Sequence, residues 1–231
     1  MINLSPPRFV SRIFSTPTWH VPNEENRIFL TFDDGPTPGV TEWVLDELSI
    51  RDAKASFFCL GRNAERYPDL LARIREEGHT VGNHTYSHLR GYRESLRDYY
   101  NDILEANRLL TTDLFRPPYG RITPKQLSFI AQHFRVVLWS VLSMDYSRHI
   151  SPHRCLDIVQ QNARVGDIVV FHDSCKAQRN LRYALPRALD RLQERGLKLS
   201  ALGQAEFMPE AEEESATQQL ALGVKPLPSN S

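Results

Sequence analysis

Three things are scarce in this sequence, and each absence removes a class of protein. Its three cysteines, Cys59, Cys155 and Cys175, are an odd number without paired spacing, which argues against a disulfide-built scaffold. There is no charge surplus: 28 basic residues face 28 acidic ones, so bulk charge offers no hold on nucleic acid or an anionic membrane. No apolar run approaches the roughly 20 residues that span a bilayer. The opening stretch, with Pro6, Pro7, Arg8, Arg12 and Pro17, has no continuous apolar core of the kind that makes a signal peptide. The expectation is a soluble protein without a membrane span or nucleic-acid partner, cytoplasmic by default, with action at the cell envelope left open.

What is present is a 231-residue chain, 41% hydrophobic, long enough to bury one substantial core. Residues 1–26 read as an irregular arm on the domain surface, 27–207 as the folded domain, and 208–231 as a polar, acidic, disordered tail. Between them, apolar and helical periodicities alternate. Ile28–Phe32 reads as a strand, Val40–Ile50 as a helix, and Lys54–Leu60 as a strand. Asn63–Glu77 follows as one helix, stopped at Gly78 by a glycine cap. His79–Asn83 is a short strand, Tyr92–Thr111 a long helix, and Leu114–Arg116 a strand cut off by Pro117-Pro118. Pro124–Gln132 is a helix and Phe134–Val141 a strongly apolar strand. Pro152–Ala163 is a helix, Asp167–Phe171 a strand, Leu181–Arg195 a helix and Leu197–Leu202 a last strand. About seven strand-then-helix units of this spacing predict a parallel α/β domain, either an open sheet or a barrel.

The ionisable residues gather just after the strands. Asp33-Asp34 follow the first, His84 and His88 the third, Arg116 the fourth; Asp145 and His172-Asp173 come after later ones. In parallel α/β folds the carboxyl ends of strands build the ligand site. Asp33 and Asp34 point to opposite sides of an extended chain, so they have different jobs. Two histidines four residues apart plus one carboxylate make a ligand set for catalytic zinc or a similar divalent ion. Taken singly, each has a plainer reading: Asp-Asp-Gly as a solvated turn, His84 and His88 as loop residues, His172 as a core histidine, Arg116 and Asp145 as surface ion-pair residues. Cys175, near His172, reads as a free thiol without a role.

Taken together, Thr31-Phe-Asp-Asp-Gly-Pro36, His84-Thr-Tyr-Ser-His88, Arg116-Pro-Pro-Tyr-Gly120, Asp145-Tyr146 and Val170-Phe-His172 resemble the five ordered motifs of the polysaccharide deacetylase family. That family includes chitooligosaccharide and peptidoglycan N-acetylglucosamine deacetylases. The resemblance runs from about Arg27 to Leu202. It implies an irregular (β/α) barrel of about seven parallel strands, and removal of N-acetyl groups from a glycan. It implies Asp34, His84 and His88 as ligands of a divalent metal, zinc with cobalt or nickel as alternatives. Asp33 would be the base for the attacking water, and His172 the acid for the departing amine. The backbone N–H of Tyr119 would bind the oxyanion, Arg116 would orient Asp33, and Asp145 would pair with Arg116 from behind. Pro117, Tyr119, Tyr146 and Val170 would contact substrate, the last two lining the acetyl pocket. The chain departs from the family in having Tyr146 where tryptophan is usual. Two alternatives stand beside this reading: a same-fold hydrolase of a small amide or ureide, and a non-catalytic glycan-binding module.

Overall fold

The computed structural model describes residues 17–203. The expected tail at 208–231 lies outside the described residues, as does the beginning of the arm. The described residues up to 201 form one compact unit. No described helix is long and apolar enough to cross a membrane.

The centre of the fold is β1 (Arg27–Asp33), whose residues from Ile28 onward are all buried. A strand covered on both faces shows no in–out alternation and belongs to a parallel sheet wrapped by helices. The chain then alternates α1 (Thr41–Ser49), β2 (Ser56–Cys59), α2 (Gly61–Arg66), α3 (Pro68–Glu76), β3 (Thr80–Asn83), α4 (Leu96–Leu110) and β4 (Leu114–Phe115). It continues with α5 (Pro124–Ile130), β5 (Arg135–Val136), β6 (Val141–Leu142), α6 (Pro152–Asn162), β7 (Ile168–His172), α7 (Gln178–Glu194) and β8 (Lys198–Ser200). The strands run in the order β5-β4-β3-β2-β1-β7-β6, with β8 paired to the start of β1, and every pair is parallel. No ladder joins β5 to β6 among the described residues, so the sheet curls into an open, irregular barrel. The expected fold class holds.

Two expected elements are broken, each for a physical reason. The helix over Asn63–Glu77 is two helices, because Pro68 cannot donate to the preceding turn and forces Tyr67 out of helical geometry (φ −131°, ψ 61°). The expected strand Phe134–Val141 becomes β5 and β6. Between them the carbonyls of Val137 and Leu138 turn inward to the Arg116 guanidinium, while the Leu138 N–H goes to Thr18. The long helix begins at Leu96 rather than Tyr92, where Ser95 caps it by accepting from the Asp98 N–H. Thr18 also bridges Val137, and Val21 donates to the Gly166 carbonyl, so the described residues before β1 are tied to the barrel at these points.

Alternation along β1 sorts its side chains. Ile28, Leu30 and Phe32 face the outer helices in the main core, where the Phe32 ring stacks 5.0 Å from Phe57 and 6.1 Å from Phe171. Thr31 and Asp33 face the barrel interior with Val170 and His172 of β7. The register sets Asp33 beside Phe58 and His172, and Asn83 beside both Cys59 and Phe115. The residues that follow each strand, including Asp34, His84 and Arg116, therefore leave the sheet at one level.

Candidate active site

Arg116 leaves the end of β4 and turns into the barrel, where it is fully buried. Its guanidinium donates to Asp33 Oδ1 at 2.7 Å, to Thr31 Oγ1 at 2.7 Å, and to the Leu138 and Val137 carbonyls at 3.0 and 3.3 Å. Its Cζ stands 4.0 Å from the centre of the Phe58 ring. Burial lowers its pKa, with Asp33 opposing. A buried charge is tolerated only when its hydrogen bonds are satisfied, and here four acceptors meet it. Asp33 is thereby fixed at the end of β1.

Asp34 turns the other way. Its backbone is left-handed (φ 80°), and its carbonyl accepts from Asn63 Nδ2 at 2.8 Å. The next residue, Gly35, donates its N–H to Asp173 Oδ1 at 3.0 Å. A Cβ on Gly35 would collide with that carboxylate, so glycine is required at this turn. Thr41 Oγ1 donates to Asp173 Oδ2 at 2.6 Å, which anchors the turn to α1.

His84 and His88 occupy a tight loop rather than a turn of helix. Thr85 and His88 both have positive φ (67° and 61°). The loop is tied down by bonds from the N–H groups of Tyr86 and Ser87 to Asp102 Oδ2, both 3.0 Å, and from Thr85 N–H to Asn83 Oδ1 at 2.8 Å. His84 Nδ1–H donates to the Arg116 carbonyl at 2.8 Å, which leaves its Nε2 lone pair free to ligate. His88 Nε2 and His84 Nε2 lie 3.2 and 3.8 Å from Asp34 Oδ1. One ligand atom from each of the three residues falls within 4.8 Å of the others. Burial pushes His84 down to about 4, so it is a neutral imidazole near pH 7. Burial pushes Asp34 up, but the His88 hydrogen bond and the charges of His172, His84 and His88 carry it below its ordinary value. Neutral imidazole, carboxylate and a hydrogen bond behind one of the histidines are the donor chemistry of a divalent-metal site, and the residues present fit one.

His172 closes the other side. The expected partner of Arg116, Asp145, instead holds His172: Oδ1 accepts the ring Nδ1–H and Oδ2 the backbone N–H, both at 2.8 Å. Arg116 has no need of Asp145, since Asp33 supplies its carboxylate and backbone carbonyls take the remaining donors. Burial pushes His172 down, but Asp145, through charge and hydrogen bond, with Asp34 and Asp33 adding, raises it to about 9. Asn180 on α7 secures the loop after Asp145 by donating to the Asp145, Ser147 and Ile150 carbonyls at 2.9, 3.1 and 3.2 Å.

These groups open into a cleft of about 540 Å3. Asp33, Asp34, His84, His88, Tyr119, Tyr146 and His172 line it, joined by Arg90, Tyr92, Arg121, Trp139, Leu142 and Lys176. Tyr119, in the turn Pro118–Gly120, has a left-handed backbone (φ 61°) and its ring meets His88 at 4.7 Å. Tyr146 meets His172 at 4.8 Å. Pro117 and Val170 are absent from the wall. Val170 points inward one layer beneath His172 and is fully buried; Leu142, its partner across β6, reaches the cleft in its place. All three cysteines are free, and Cys175 is exposed. Sequence reasoning placed Asp173 after a strand without giving it a role, and missed Thr41, Asn180 and the rim residues. Arg90 and Tyr92 follow the His84–His88 motif closely, and that proximity was the available signal.

The strand ends of this curled parallel barrel thus carry paired carboxylates, two histidines and a third histidine held by a carboxylate. A sequence model of the polysaccharide deacetylase family matches residues 20–134. A peptidoglycan-N-acetylglucosamine deacetylase of Bacillus cereus is 36% identical over 189 residues, covering 78% of this chain and 88% of that protein. A second B. cereus protein of that name is 36% identical over 160 residues; the chain spans only 58% of its length. The crystal structure of a peptidoglycan N-acetylglucosamine deacetylase bound to 4-naphthalen-1-yl-N-oxidanyl-benzamide superposes with a TM-score of 0.77 at 33% identity, covering 84% of this chain and 94% of that one. The chain belongs to the polysaccharide deacetylase family.

Proposed function

We propose that this protein is a metal-dependent hydrolase that removes N-acetyl groups from N-acetylglucosamine units of a peptidoglycan-like or chitooligosaccharide-like glycan. The observation that carries this reading is the placing of Asp33 with Arg116, and of His172 with Asp145, on either side of the Asp34–His84–His88 cluster at one open cleft. Similarity to the B. cereus deacetylases supports the substrate class.

In this reading Asp34, His84 and His88 hold a divalent ion, with zinc, cobalt and nickel all suited to the donor set. When bound, such an ion polarises an acyl oxygen and lowers the pKa of water towards ~7. Asp33, held by Arg116, accepts a proton from the attacking water, whose oxygen adds to the acetamide carbon. The backbone N–H of Tyr119 donates to the oxygen that gains negative charge, a stabilisation that is often the largest catalytic contribution. His172 gives its proton to the sugar nitrogen as the C–N bond breaks, so that acetate and a free amine leave. An amine is a poor leaving group without that proton, and a histidine raised to about 9 carries it at neutral pH. Leu142 and Tyr146 form an apolar wall for the acetyl methyl.

The test is acetate release from N-acetylglucosamine oligomers and peptidoglycan fragments after the protein has been stripped of metal and reloaded with zinc or cobalt. Release that returns with metal supports the reading. No release from any glycan by protein that binds one ion per chain contradicts it and favours a small amide substrate.

A further inference from the structure

The cleft wall is charged in one sense. Outside the central carboxylates and histidines, its charged side chains are Arg90, Arg121 and Lys176, all cations. The chain as a whole is balanced, 28 basic residues against 28 acidic, so this is a local arrangement rather than a general excess. Some arginines elsewhere meet carboxylates: Arg51 with Asp190 at 2.6 Å, Arg73 with Asp46 at 2.6 Å, Arg135 with Asp113 at 2.9 Å. Among the described residues, none of the three rim cations forms an ion pair with a carboxylate.

Their partners are aromatic rings of the same cleft. On the His88 side, Arg90 stands 5.2 Å from the Tyr119 ring and Arg121 stands 5.6 Å from the Tyr92 ring. Arg93 lies 5.7 Å from Tyr92 as well. On the His172 side, Lys176 lies 5.2 Å from Tyr146. Partial desolvation pushes the Tyr92 phenol up, and the charges of Arg93, Arg121 and Arg90, with a hydrogen bond from Arg121, more than offset it and leave it below its ordinary value. Three guanidinium groups, those of Arg93, Arg121 and Arg90, thus act on the Tyr92 phenol on that flank. Aromatic faces suit the apolar faces of sugar rings, and a guanidinium resting on such a face presents its N–H fork to a planar anion.

We propose that Arg90 and Arg121 form a carboxylate-binding subsite on the His88 side of the cleft, which makes the enzyme select acetylated glycans bearing carboxylate groups over neutral ones of equal length. This rests on the N-deacetylase reading given above and narrows its substrate class. The carboxylate can be carried by the sugar itself, as a lactyl ether, or by an attached peptide; the chemistry at the arginines is the same.

The experiment measures kcat/KM for acetate release by the metal-loaded protein on four tetrasaccharides. These are neutral N-acetylglucosamine tetramer, a peptide-free peptidoglycan tetrasaccharide with lactyl carboxylates, its methyl ester, and the same glycan with stem peptides. At low salt the carboxylated glycans are expected to exceed the neutral one by about tenfold, as two partly exposed, salt-sensitive ion pairs allow. The preference should fall on esterification and at 0.5 M NaCl. In the double variant Arg90→Gln/Arg121→Gln the ratio of carboxylated to neutral kcat/KM should collapse towards one, chiefly through KM. Arg90→Lys/Arg121→Lys, which keeps the charge but not the fork, should retain part of it, which separates charge from fold. Preference for the peptide-free glycan assigns the carboxylate to the sugar, and preference confined to the peptide-bearing glycan assigns it to the peptide. A wild-type ratio near one, or a ratio unchanged in the double glutamine variant, overturns the subsite. No acetate from any of the four overturns the deacetylase reading and the subsite with it.

Discussion

Asp145 holds His172 at two points, accepting both its ring Nδ1–H and its backbone N–H at 2.8 Å. One carboxylate thus sets the tautomer, the ring orientation and the position of the strand end from which the imidazole projects. It also makes His172 a strong enough base to stay protonated at neutral pH.

Asp145→Asn should therefore alter both rate and pH dependence. With Asp145 present, His172 keeps its proton until about pH 9, so activity should hold through neutrality and fall as that proton is lost. In the variant the alkaline limb of the kcat/KM profile should move towards the ordinary histidine range near 6.5, and kcat at pH 8 should drop by about 100-fold or more. A pH–rate series on reloaded protein checks this; an unmoved alkaline limb would remove His172 as the acid.

Arg116 should matter to stability as much as to chemistry. It bonds Asp33, Thr31 and two carbonyls with no exposure to water. Arg116→Met leaves Asp33 as a buried carboxylate without its cation, a change that costs about 3–5 kcal/mol. Arg116→Lys should recover little of this, because one ammonium cannot span four acceptors. Urea unfolding, monitored by tryptophan fluorescence, gives the difference directly.

The metal cluster predicts a binding phenotype independent of turnover. Asp34→Asn and His88→Gln should each weaken zinc binding by about 100-fold or more while leaving the fold intact, since loss of even a supporting residue typically costs 10–100-fold. Equilibrium dialysis with circular dichroism as the folding control measures both. Wild-type affinity in both variants would show that the cluster is not the metal site.

His79 predicts an acid-sensitive stability. Its buried ring accepts the Ala55 N–H at 3.2 Å, and burial, with Lys54 adding and Glu77 opposing, lowers it to about 4. The unfolded chain, with an ordinary value near 6.5, binds more protons between these limits, so this contribution is complete above pH 6.5 and is lost as pH falls towards 4. Its full size is about 2–3 kcal/mol. The loss of urea midpoint between pH 7 and pH 5 should be smaller in His79→Gln than in the parent.

Much of the architecture was legible because it rests on local chemistry. Strand-then-helix periodicity set the parallel order, and Gly78 ends its helix with φ 76° as a glycine cap should. What was not legible depends on partners distant in sequence. Val137 and Leu138 look like strand residues until Arg116 takes their carbonyls. Asp145 is as close in pattern to Arg116 as to His172, and only the pairing of β6 with β7, which sets Leu142 beside Val170, decides between them. Val170 looks available to substrate until strand alternation places it beneath His172. Arg90 and Arg121 follow the His84–His88 and Arg116–Gly120 motifs closely, but that proximity alone does not set them, with Lys176, on the walls of one cleft. The motif residues could be read because each ends a strand, whereas the rim could not, because it is assembled by folding.

The most direct test of the account is Asp33→Asn, assayed for acetate release and for bound metal in the same preparation. Asparagine keeps an oxygen for Arg116 to bond but cannot serve as the base. The account predicts one ion per chain, an unchanged fold and a loss of kcat of about 100-fold to 10,000-fold. Near-normal acetate release from metal-loaded Asp33→Asn would contradict it.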